Sequence, residues 1–163
     1  GFGCMGDLAQ TNTFEEANKE CEGATVDIVS TLKSAQLAIN AHVIVDILRS
    51  IFGLSNAGLK PGGWAYGTNS VGRKVIFTAE INNMRNTEQK LIAYPNCSTT
   101  GGFAYSVDNT ATTLAQMTVN INALPDDNGQ VYYEAVKSDM DAAIAAAWHT
   151  SFSRELIAET VTP

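Results

Sequence analysis

From Thr25 to Phe52 apolar residues return at three- and four-residue steps: Ile28, Leu32, Ala35 and Ile39 first, then Val43, Ile44, Ile47, Leu48 and Ile51 on a stripe that has drifted round the axis. No Gly or Pro interrupts the stretch, and Gly23 and Gly53 stand at its two ends, so the pattern predicts one long helix. A helix that is apolar on more than one side must be covered from more than one side. Upstream, residues 1–12 read as an extended arm. Thr13-Phe14-Glu15-Glu16 then has the form of a capping box, in which hydroxyl and carboxylate satisfy free backbone N–H groups reciprocally; it predicts a short helix ending near Gly23.

Beyond Phe52 the glycines at 53, 58, 62, 63, 67 and 72, with Pro61, exclude any regular element, and residues 54–73 read as an irregular loop carrying Trp64 and Tyr66. Two readings of those rings stand side by side: anchors that pack the loop down, or a contact surface for a partner. The period then changes to two. Val75, Phe77, Ala79 and Ile81 alternate with Ile76, Thr78, Glu80 and Asn82 over 74–82, and strand patterns follow at 89–94 (closed by Pro95), 102–107 and 112–122. Short connections between them favour an antiparallel meander. After the turn cluster Pro125-Asp126-Asp127-Asn128-Gly129, the residues Tyr132, Val136, Met140, Ile144 and Trp148 fall at four-residue steps among alanines and predict a C-terminal helix. The expected fold class is therefore α+β in one domain over 1–163: N-terminal helices in 13–53, a four-stranded antiparallel sheet in 74–122, and a helical region in 127–160 packed on it.

Composition adds habitat more than chemistry. The 163 residues are 45% hydrophobic and only 17% charged, so much of the surface must be built from uncharged Thr, Asn, Ser and Gly, which suits an extracellular or particle-forming protein. A net charge of −7, with the basic residues scattered, argues against nucleic-acid binding. No apolar run is long enough for a transmembrane helix, and residues 1–10 do not resemble a signal peptide. A processed or an engineered start at Gly1 would look the same. Cys4, Cys21 and Cys97 form no C-x-x-C pair. In a secreted protein Cys4 with Cys21 is the favoured disulfide, tying the arm to the first helix and stabilising by about 3 kcal/mol, with Cys97 free. In a reducing compartment all three would be buried thiols.

The search for catalytic chemistry returns little. His42 and Asp46, four apart on the expected long helix, could meet, but no third ligand follows at a useful spacing. His149 near a helix end would favour the negative pole of the dipole. A Cys97–His149 nucleophilic pair has no flanking motif, and the acidic pairs Asp126/Asp127 and Asp139/Asp141 read as turn and cap residues. Neither a dinucleotide-binding glycine motif, a P-loop nor a nucleophile elbow is present. No catalytic, cofactor or metal residue is assigned.

Two local segments carry a family resemblance. Gly62-Gly63-Trp64 leads into the first strand of the sheet, and residues 117–127 (MTVNINALPDD) lead into 134–144 (EAVKSDMDAAI). This order resembles the globular domain of type IV pilins, especially the type IVb group. The resemblance implies a long helix packed in a filament interior and a Gly-rich loop meeting neighbouring subunits. The leading expectation is a non-enzymatic extracellular or cell-surface subunit acting by self-assembly or partner binding, as a homo-oligomer or with a protein partner. A binding module for an apolar small molecule, lined by Trp64, Tyr66, Phe77 and Trp148, is the alternative, and an enzyme of unrecognised class the third.

Overall fold

In the computed structural model, which describes residues 5–21, 24–41, 45–82, 88–102 and 117–158, the region expected to be helical is mostly strand. Met5–Cys21 (β1) and Ala24–Ala41 (β2) form an antiparallel hairpin of 17 and 18 residues. Its buried positions explain why. Ala35, Leu37, Ile39 and Ala41 are all in the core, while the residues between them are not, which is the two-residue alternation of a half-buried strand. Between Ser34 and Leu32 an extra residue, Lys33, is inserted opposite the single step from Thr13 to Phe14. This bulge returns Leu32 to the face of Ala35, where it packs against the core. Strand steps of two plus one bulge generate the spacing 28, 32, 35, 39, which imitates a helical stripe.

Among the described residues of the expected long helix, only Val45–Phe52 (α1) is helical. It buries Leu48, Ile51 and Phe52 at i, i+3 and i+4. The chain stops at Gly53, whose φ of 71° suits a left-handed helix end and whose missing Cβ makes room for the backbone of Val71.

The remaining strands are Val75–Asn82 (β3), Gln89–Thr99 (β4), Met117–Ala123 (β5) and Tyr133–Val136 (β6). All pairings are antiparallel in the order β1-β2-β5-β4-β3, with β6 against the first half of β4. The expected α+β arrangement of N-terminal helices, four-stranded meander and C-terminal helix is thus corrected to a mainly antiparallel β fold with six strands and two short α-helices among the described residues. The strand expected at 102–107 lies almost wholly outside them. Instead of one C-terminal helix, β6 is followed by a 3-10 turn at Lys137–Asp139, by Ala142–Ala147 (α2), and by a second 3-10 turn at Arg154–Leu156. Asp141 sets the start of α2 by accepting a hydrogen bond from Ala143 N at 2.7 Å. The aromatic and β-branched residues before it, Tyr133 and Val136, are spent on the sheet.

β4 is buried on both faces. Ile92, Tyr94 and Cys97 join the larger core with Phe77, Ala79, Val119, Ile121, Leu48 and Phe52, while Leu91 and Ala93 pack under Trp148 and Phe152 on the opposite side. Pro95 does not end this strand. Val75 pairs with Cys97 and Phe77 with Tyr94, so β4 carries an extra residue there; the bulge absorbs the missing proline N–H and brings Cys97 to the face of Tyr94. No helix among the described residues is long and apolar enough to cross a membrane.

Candidate assembly surface

β5 pairs only with Ala35–Ala41 of β2, so the other part of the hairpin, beginning at Ser34, has no third strand among the described residues. At about 3.3 Å per residue this two-stranded ribbon reaches roughly 35 Å past the sheet. Its inner face continues the face that builds the core. Leu8 packs on the core, Gln10 touches Tyr94, and Phe14 lies opposite Leu32 in register, followed by Ile28 opposite Asn18. Along that face the cover runs out: Phe14 is 53% and Ile28 59% exposed, and Val29 on the reverse face is 55% exposed. A two-stranded ribbon is at best marginally stable in water, and one that displays apolar side chains on a continued core face is an uncompleted layer. β1 is also the terminal strand of the described sheet, so alternate backbone N–H and C=O groups point outward along an edge that no described strand pairs.

The ribbon root is held by polar contacts. Tyr94 OH donates to Gln10 Oε1 at 2.5 Å, and the Tyr94 and Tyr132 rings lie 5.9 Å apart. Lys33 and Glu15, both largely exposed, approach to 3.6 Å across the hairpin. Where β2 pairs with β5 the reverse-face side chains are uncharged: Thr118 donates to Asn40 Oδ1 at 2.5 Å, and Gln36, Asn120 and Thr100 line a shallow groove of about 450 Å³.

The sequence-predicted residues divide. Cys4 lies outside the described residues, and Cys21 ends β1. Cys97 is buried with its thiol pushed up to about 12 by desolvation. His149 is on the other side of the sheet from it: its Nδ1 lies 3.0 Å from Thr78 Oγ1 and its Nε2 3.8 Å from Glu80, which also accepts from Lys137 Nζ at 3.2 Å. His42 lies outside the described residues, and Asp46 is bonded to Arg49 at 3.0 Å. Asp126 organises its turn. Desolvation opposes its ionisation, yet hydrogen bonds from Tyr133 OH and from the backbone N–H groups of Gln130 and Asn128 outweigh that and hold its carboxyl below the usual value.

Trp64 and Tyr66 sit on an exposed loop closed by paired backbone bonds between Ser55 and Ala65, with the Arg49 guanidinium 4.6 Å over the Trp64 ring. The proposed apolar-ligand lining does not converge. Phe77 is in the core beneath α1, and Trp148 is fully buried on the opposite face, its Nε1 donating to Ile92 O at 3.2 Å. Among the described residues no three His, Cys, Asp or Glu are grouped to hold a metal ion. Sequence reasoning misses the ribbon, although the alternation over residues 35–41 carries its signal. No protein-family model matches the chain, and no curated protein aligns with it significantly.

Proposed function

We propose that the protein is a non-enzymatic structural subunit, working outside the cell or at its surface, whose job is self-assembly or partner binding through the β1–β2 ribbon. The observation that carries this reading is the core-facing side of the ribbon outlasting its cover, with Phe14 and Ile28 left in water. Its support from composition is the uncharged polar surface, which the Asn, Gln and Thr of the reverse face exemplify. The pilin resemblance would make the product a filament, with the ribbon in the packing role first expected of a long helix. Light scattering and negative-stain imaging across a concentration series test the proposal. Ordered oligomers growing with concentration are expected, and a strictly monomeric chain throughout the series overturns it.

A further inference from the structure

Resting on that reading, we infer that the partner is a second copy of the chain, joined edge to edge by its own β1 in antiparallel register about a two-fold axis through Thr13. Met5–Cys21 is the described extent of β1, and Thr13 is its midpoint, so this register pairs the strand along its whole length. It also sets one of the four acidic residues of β1 in each copy opposite the other copy's lysine and brings no two acids into register. Asp7 of each copy falls opposite Lys19 of the other, Glu15 opposite Thr11, Glu16 opposite Gln10 and Glu20 opposite Gly6, so opposite charges share a register position twice and like charges never do. Shifting the sum of paired positions up by one places Asp7 opposite Glu20 instead. The inferred register is also even, which keeps residues of one face on one face. Phe14 then lies opposite Asn12 of the second copy and diagonal to its Phe14, within reach of an aromatic ring. Two rings that are half in water in one subunit shield each other, and the free backbone groups of two edges are satisfied together. The result is a continuous sheet running through two subunits, an isologous contact that closes on itself, so larger oligomers or a filament require a second, different contact between these dimers.

Asp7→Lys and cysteine placement test the register. With the introduced lysine facing Lys19 of the other copy twice, the dimer should dissociate about tenfold more readily than wild type at low salt, and the difference should shrink in 0.5 M NaCl. Independently, Thr13→Cys should cross-link to itself under mild oxidation, whereas Thr11→Cys should not self-link but should link to Glu15→Cys when the two variants are mixed, as identified by peptide mapping. Circular dichroism of each variant keeps folding separate from association. If wild type assembles but Asp7→Lys assembles equally well, or Thr13→Cys fails to self-link, the β1 edge is wrong while the assembly reading stands. A wild type that is monomeric at every concentration sinks both.

Discussion

Tyr94 OH and Gln10 Oε1 are 2.5 Å apart although β2 and β5 lie between their strands in the sheet order, so the sheet curls until its first strand meets its fourth across the core. The bond fixes the root of the ribbon to β4, which is buried on both faces. Gln10→Ala leaves a buried phenol without its acceptor and should cost about 1–3 kcal/mol in urea denaturation. Combining it with Tyr94→Phe should recover part of that loss, because the orphaned hydroxyl is gone; full additivity in the double-mutant cycle would show the two groups act separately.

Two buried groups and one half-buried group make the fold sensitive to alkali. Desolvation, followed by Tyr132, Cys97 and Glu134, pushes the Tyr94 hydroxyl from 10.0 to about 12. Desolvation raises Cys97 from 9.0 to about 12, and desolvation together with the Asp126 hydrogen bond raises Tyr133 to about 12. In each case the folded state holds the proton longer than the unfolded chain. Their stabilisation is therefore complete below about pH 9 and is lost as pH rises from there through 12. Urea midpoints from pH 8 to 11.5 should fall steadily, and Tyr94→Phe should flatten the decline; a pH-independent midpoint would contradict these placements.

Cys97 is sealed in the larger core and hydrogen-bonded to Tyr94 O at 3.4 Å. It should resist thiol reagents in the native protein and react only after unfolding, since the thiolate is the reactive form and burial suppresses it. β1 holds Met5 and Cys21 roughly 50 Å apart, so the expected Cys4–Cys21 disulfide has to join two subunits; if it forms, unreduced material unfolded in denaturant should release one reactive thiol per chain. Three would place the protein in a reducing compartment and remove the extracellular half of the proposal.

Trp148 closes the smaller core over Leu91 and Ala93, edge-on to Phe152 at 4.8 Å. Trp148→Ala should cost about 3–5 kcal/mol. Trp148→Phe should cost less but still leave Ile92 O without its indole donor, a difference visible by thermal unfolding.

Two strands were legible in the sequence: Val75–Asn82, from its alternation, and the first half of β4, as a short run ahead of Pro95. The stop at Gly53 was legible too, because a left-handed helix end demands glycine. The ribbon was not, and bulges are the reason. Lys33 inserts one residue into β2 and converts a spacing of two into three, so Leu32 and Ala35 look like neighbours on a helical turn. Thr13 to Glu16 fits a capping box in isolation, and only pairing with residues 30–34 makes it strand. Trp148 reads as the last position of a long stripe; its burial depends on Leu91 and Ala93, which no local pattern connects to it.

The ribbon makes one separation that a merely decorative hairpin would not. Phe14, Ile28 and Val29 contribute little to the isolated subunit because each is more than half exposed. Replacing all three with Ser should therefore shift the unfolding midpoint of the monomer only slightly, roughly within 1 kcal/mol, much of it from the lower strand propensity of Ser. Association should respond far more, since Phe14 loses water against its counterpart when a second copy pairs with β1, at about 25 cal/mol for each Å² buried. Sedimentation at concentrations where wild type assembles should find the triple variant largely monomeric. Equal loss in folding and association would mean these residues hold the subunit together, and the uncovered face would then be part of its own core.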